Sequence, residues 1–174
     1  MTAGSDQMAA GLAAAEGQPL ATFQALDRLV QATIGARLFT LMEVDTARSV
    51  ARRSYSNMPK AYPTSGEKPM HQNRWAEIVQ DRHETFVANS IEEIAEVFGD
   101  HALIRSLGCE SCLNLPIVIG GRLWGTLNCL DVAGHYTPER VAAAQSLKTA
   151  GAAAFLMAAA VRDRHLSQAG DDNG

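Results

Sequence analysis

The stretch Gly108–Asp131, GCESCLNLPIVIGGRLWGTLNCLD, constrains the fold more than any other part of the chain. Gly120 and Gly121 stand side by side between two apolar runs, a pairing that suits a two-residue turn with positive φ at both positions. The spacing predicts antiparallel strands over Ser111–Ile119 and Leu123–Leu130. Leu113, Leu115, Ile117 and Ile119 then share one face, with Cys112, Asn114, Pro116 and Val118 on the other. Across the turn, Leu123, Gly125, Leu127 and Cys129 alternate with Trp124, Thr126, Asn128 and Leu130. Neither face is solely polar, so both must be covered: one by helices, the other by loops or a cavity.

The flanking segments supply those covers. Pro19 suits the first turn of a helix running to about Ile34, in which Leu20, Phe23, Leu26, Val30 and Ile34 recur at helical spacing. Strands are expected at Arg37–Val44 and Ser49–Tyr55, with Arg52 and Arg53 on opposite faces of the second, so that at most one points into a cavity; the readings are that both end in solvent or that one binds an anion. Asn57–Asn73, with three prolines and a glycine, reads as a surface loop or lid. A short helix over Arg74–His83, a brief strand TFVAN, a helix capped by Ser90 and another over Asp100–Leu107 follow. Thr137 caps the last helix, expected to reach about Leu166. Its stretch Ala150–Val161 is apolar around most of its circumference. A second copy of the chain is the simplest cover, with Phe155 in the interface of a parallel or antiparallel helix-mediated homodimer. The fold class is therefore α+β, a central antiparallel sheet with the terminal helices on one face and a pocket under loops and short helices on the other.

Bulk properties narrow the field. The 174 residues, 47% hydrophobic, suit one domain, expected over 18–166 between a loose arm at 1–17 and a tail at 167–174. A net charge of -4 gives no footing for nucleic acid or an anionic membrane surface. The opening residues lack the pattern of a secretory signal. Ala150–Val161 falls short of the ~20 residues that cross a bilayer. Three cysteines are too few for a disulfide scaffold, and their odd number points to a reducing, cytoplasmic setting.

The segments SLGCESCLNLPIVIGGRLWGTLNCLD, YTPERV and the long last helix carry a resemblance to the GAF domain family. LFTLMEVD, RWAEIVQDRHETFVAN and SIEEIAEVF precede them in the family's order, so the resemblance covers about residues 18–162. It implies a six-stranded or slightly smaller antiparallel sheet with a small-molecule pocket opposite the terminal helices. Members of the family recognise cyclic nucleotides, tetrapyrroles, aromatics or metabolites, or serve only as dimer modules, so the resemblance names no ligand and no cofactor. Cys109 in GCESC is no substitute for a bilin attachment site, and Asn128 with Asp131 does not rebuild the cyclic-nucleotide NKFDE-type set. Within the family, free methionine-R-sulfoxide reductases use cysteines around the pocket. Relative to them, Cys112 replaces an acidic residue, Asn128 and Leu130 replace two aspartates, and the reactive cysteine would fall near Arg105.

The residues expected to touch a ligand are Tyr55, Trp75, Cys112, Asn114, Trp124, Thr126 and Asn128, apolar walls with amides and a hydroxyl to orient polar atoms. The resulting expectation is a sensory or regulatory small-molecule module working through dimerisation or a separate output protein. The alternatives are a ligand-free structural dimer module and a thiol-dependent oxidoreductase using the C-x-x-C pair Cys109 and Cys112. Cys129 reads as a small core residue, and no metal signature is present in the spacing. Glu67, Lys68, His71, His83 and His101 are expected as solvated or capping groups.

Overall fold

The turn forms as the glycine pair requires, with φ of 58° at Gly120 and 76° at Gly121 and with Ile119 opposite Arg122. In the computed structural model, which describes residues 2–64 and 66–171, the hairpin strands are β5 (Ser111–Ile119) and β6 (Arg122–Asp131). β1 (Leu38–Asp45), β2 (Val50–Ser56), β3 (Glu67–Pro69) and β4 (Phe86–Ala88) complete an antiparallel six-stranded sheet in the order β3-β2-β1-β6-β5-β4. The hairpin is thus central, and seven of the nine residues of β5 are buried, as a strand covered on both faces must be.

One face lies under helices. Phe39, Leu41, Leu113, Leu115, Ile117, Leu127 and Cys129 pack with residues of α2 (Leu20–Thr33) and α7 (Lys148–Asp171). α7 continues from α6 (Pro138–Ala144) through a 3-10 turn at Gln145–Leu147. Thr137 caps α6 as expected, its hydroxyl accepting from the Arg140 amide. On the other face Leu38, Cys112 and Leu130 pack with Tyr62, Val79, Ile94 and Ile104, contributed by the segment after β2 and by the short helices. These are α3 (Arg74–Ala76), which runs on into the turn Glu77–Asp81 that bears Val79, α4 (Ile91–Ala95) and α5 (His101–Ser106).

Five local expectations are corrected. The opening residues, read as a loose arm, contain helix α1 (Thr2–Ala13). Met8 of α1 is buried, and the Gln18 side-chain amide donates to the Gly11 and Ala14 carbonyls at its C-terminal end. At the other end α7 is helical to Asp171, and positions 172–174 of the expected tail lie outside the described residues. The lid segment carries the edge strand β3, and the helix expected over 74–83 is a three-residue α-turn followed by a π-helical turn, Glu77–Asp81. Phe155 is 1% exposed, its ring against Gly125, and so belongs to the core and not to a free helix face.

Two bulges decide which side chains face which side. β1 pairs Leu41 with Tyr55 and Met42 with Arg53, which leaves Ser54 without an opposite residue. β5 pairs Ile117 with Gly125 and Val118 with Leu123, which leaves Trp124 extra. An inserted residue breaks strict alternation, so side chains beyond it change face.

Candidate functional site

The polar floor of the site is a row across three strands. Asn114 on β5 stands opposite Asn128 on β6, and Asn128 stands opposite Thr40 on β1. The Trp75 indole Nε1 donates to Asn114 Oδ1 at 2.9 Å, Asn114 Nδ2 donates to Asn128 Oδ1 at 2.8 Å, and Asn128 Nδ2 donates to Thr40 Oγ1 at 3.3 Å. Asn73 caps α3 by accepting from the Ala76 amide, which fixes the helix that presents Trp75. Above this floor lies a cavity of about 290 Å³ walled by apolar side chains including Leu38, Met42, Val97, Phe98, Ile104 and Leu130. The volume sits at the low end of the ~300–1,000 Å³ typical of small-molecule sites.

The bulge at Ser54 turns Arg53 into this cavity. Its guanidinium lies 4.8 Å from the centre of the Tyr62 ring, a cation–π contact, and Nη1 donates to the Pro63 carbonyl at 3.1 Å. Burial lowers the Arg53 pKa from its ordinary value, against the opposing pull of Tyr62 and Asp100. The Tyr62 hydroxyl donates to Asp100 Oδ2 at 2.7 Å. Burial first, then that bond, raises the phenol pKa, so Tyr62 stays protonated at neutral pH. Gln80, on the π-helical turn, also lines the cavity. The sequence reading favoured solvent over an anion-binding role for Arg53 and did not single out Gln80. The parity of SVARRSY carries no mark of a bulge, and the period of RWAEIVQD carries none of a π turn.

Five of the seven expected ligand residues, Trp75, Cys112, Asn114, Thr126 and Asn128, come together on this one lining. Tyr55 and Trp124 do not. Tyr55 lies on the helix face, its hydroxyl donating to Asp27 Oδ2 at 2.7 Å and its ring against Phe23 and Phe39. Trp124 packs against the same helix-side core beside Glu43 and Arg162. Each aromatic adjoins or occupies a bulge, and strict alternation is what had grouped Trp124 with Thr126 and Asn128. Lys68 and His71 reach the cavity rim, whereas Glu67 pairs with Arg48 at 2.7 Å.

All three cysteines are free thiols and buried. Cys109 and Cys112 belong to the pocket-side core and Cys129 to the helix-side core, so the sheet separates them. Of the three, Cys112 alone touches the cavity. Burial, aided by Asp131, pushes the Cys109 thiol up to about 11. Burial pushes Cys112 up to about 12 and raises Cys129 further still. Among the described residues no group of three or more His, Cys, Asp or Glu is placed to hold a metal ion.

An antiparallel sheet backed by its terminal helices, with a walled cavity on the opposite face, defines the class of the fold as α+β. The chain belongs to the GAF domain family, whose sequence profile matches residues 23–156. This fold is typical of small-molecule sensory and signalling modules. The GAF domain of a Coxiella burnetii phosphoenolpyruvate-protein phosphotransferase is similar in structure, with TM-score 0.67 and 15% identity over 95% of this chain and 96% of that one. A GAF domain from the corresponding Acinetobacter protein has TM-score 0.67 and 11% identity over 92% and 98% of the two chains. Free methionine-R-sulfoxide reductase from Neisseria meningitidis, solved with its substrate, has TM-score 0.64 and 13% identity over 91% and 89%. At these identities the likenesses establish the fold alone. No curated protein sequence matches the chain.

Proposed function

We propose that the chain is a sensory or regulatory module that binds a small molecule in this cavity, with Trp75, Cys112, Asn114, Thr126 and Asn128 as ligand contacts. The observation that carries this reading is the hydrogen-bonded row Trp75–Asn114–Asn128–Thr40, held in register by three strands on the floor of an otherwise apolar cavity. A rigid polar floor with apolar walls orients a ligand and excludes water from it. Output passes to a second copy through the helix layer, or to a separate protein, with the domain spanning about 18–166 and working in the cytoplasm. The candidate interface is the side of α7 bearing Leu156, which is 47% exposed, together with Leu20 at the start of α2, 51% exposed. The helical run Pro138–Gln168 is long and apolar enough to cross a membrane, but Leu147, Ala154, Phe155 and Ala158 are buried against the sheet and its helices. We read it as a cover of the domain.

The test is native mass spectrometry of protein purified from its own cells, paired with thermal-shift measurements against a broad metabolite set. A bound species lost in Asn128→Leu supports the reading. A bare protein that no compound stabilises would point instead to a structural dimer module. Thiol redox chemistry at Cys109 and Cys112 is favoured by the contact of Cys112 with the cavity and by the likeness to the Neisseria enzyme. The buried thiols count against it, because at neutral pH a thiol titrating near 11 or 12 is almost wholly protonated and the thiolate is the nucleophile. Methionine released from free methionine-R-sulfoxide with a thioredoxin system, and lost in both Cys109→Ser and Cys112→Ser, would reverse the ranking.

A further inference from the structure

We infer that the ligand is a compact carboxylate with an apolar or aromatic body, its charged end bound by Arg53 and Gln80. The inference rests on the reading that this cavity binds a small molecule, and it specifies the chemistry of that molecule. Two residues of the lining carry it. Arg53 Nε and Gln80 Nε2 are buried and have no hydrogen-bond partner. A buried N–H without an acceptor is a standing penalty that an incoming acceptor removes.

The rest of the lining does not meet that demand. The amide oxygens of Asn114 and Asn128 already accept from Trp75 and from Asn114. The cavity's single carboxylate among the described residues is Asp100, and its Oδ2 accepts from Tyr62. Arg53 itself forms no ion pair among the described residues; its other contacts are the Pro63 carbonyl and the Tyr62 ring. Lys68 adds a second cation at the rim. The site therefore has donors and positive charge in surplus, and its complement is a group that only accepts and carries negative charge. A carboxylate has that character, and its two oxygens match the guanidinium fork.

Size and wall chemistry limit what is attached to the carboxylate. A cavity of about 290 Å³ holds roughly ten heavy atoms at ~30 Å³ for each water-sized group. Its remaining walls are mostly hydrocarbon and aromatic. Asp100 offsets part of the Arg53 charge, which favours one negative charge over the two of a phosphate monoester.

The test is isothermal titration of the full chain with matched acid and amide pairs: phenylacetate with phenylacetamide, hexanoate with hexanamide, and indole-3-carboxylate with indole-3-carboxamide. At least one acid should bind, with its amide about tenfold or more weaker. Arg53→Gln should weaken the acid by about tenfold or more and leave the amide unchanged, and Arg53→Lys should recover part of the loss. Gln80→Met should weaken the acid several-fold. Circular dichroism of each variant separates loss of binding from loss of fold, and Arg53→Lys supplies the reading if Arg53→Gln does not fold. An amide that binds as well as its acid, or acid binding indifferent to Arg53→Gln, overturns the charge assignment. If that amide binding is lost in Asn128→Leu, the pocket reading survives. No heat from any of the six compounds up to about 10 mM overturns the carboxylate inference, as does preferential binding of phenyl phosphate. Native mass spectrometry then decides the pocket reading separately.

Discussion

Replacing Asn114 by leucine would orphan two polar groups at once, the Trp75 indole N–H and the Asn128 side-chain carbonyl. Each unsatisfied buried group costs about 1–3 kcal/mol, partly offset by about 1 kcal/mol of added apolar burial, so the expected loss is about 2–4 kcal/mol. Asn128→Leu orphans the Asn114 amide hydrogens and removes the bond to Thr40, whose hydroxyl can reorient. Its expected loss is smaller, about 1–2 kcal/mol. In the double variant Asn128 no longer lacks a donor and Asn114 no longer lacks an acceptor, because neither amide is present. Its cost should therefore fall short of the sum of the singles by about 1–2 kcal/mol. Urea unfolding followed by tryptophan fluorescence, at fixed protein concentration, measures all three. Equal m-values would show that the unfolded states are comparable. Additive losses within about 0.5 kcal/mol, or neutral single variants, would mean that water and not the neighbouring amide satisfies each group, and the argument for a rigid floor would fail.

Gly125→Ala should be severely destabilising. An added Cβ would lie 2.2 Å from the Met42 carbonyl oxygen and 2.6 Å from Phe155 Cζ, and the backbone oxygen cannot move aside. A loss beyond about 4 kcal/mol, or an insoluble product, is expected; a wild-type melt would contradict the geometry. Thiol burial should make the fold alkali-sensitive. An unfolded thiol titrates near 9, and its native counterparts near 11 at Cys109 and 12 at Cys112. Above pH about 9 the unfolded state binds fewer protons than the native state, so stability falls as pH rises, by up to about 1.4 kcal/mol per pH unit per thiol. Urea midpoints at about pH 8, 9 and 10 should slope less steeply in Cys112→Ala, and an unchanged slope would refute the burial argument. Light scattering on eluted protein should give about twice the 18.6 kDa chain mass, and Leu156→Glu should shift it towards the monomer while leaving the circular dichroism spectrum intact. A wild-type monomer throughout a micromolar dilution series would exclude the dimer.

Legibility in the sequence followed regularity. The paired glycines located the hairpin, and alternation along its unbroken lengths put Asn114, Thr126 and Asn128 opposite the helix-facing leucines. Alternation is a parity rule, and one inserted residue inverts it. Ser54 and Trp124 are such insertions: alternation grouped Trp124 with Thr126 and Asn128, and it cannot separate Arg53 from Tyr55, which the bulge sends to opposite faces. A bulge is selected by the register of the partner strands, which no local pattern records. Gln80 escaped for a related reason: its direction is set by a π-helical turn, and a 3.6-residue period cannot describe it. Helix α1 was readable in principle, since Met8 and Leu12 stand at helical spacing, but the alanine and glycine content of the segment read as a loose arm.

The amide row on the cavity floor also has a direction. An indole N–H can give a proton and never take one, so Trp75 obliges Asn114 to present its oxygen, and Asn114 in turn obliges Asn128 to do the same. A single aromatic residue on the wall thereby sets the orientation of two side chains on separate strands. The last acceptor, the Thr40 hydroxyl, keeps a hydrogen of its own that the row does not use. Without the indole, each amide has two near-equivalent orientations and the row can run either way. The floor would then accommodate ligands of opposite hydrogen-bonding polarity, so the side chain that closes the wall is also the one that keeps the floor from becoming permissive.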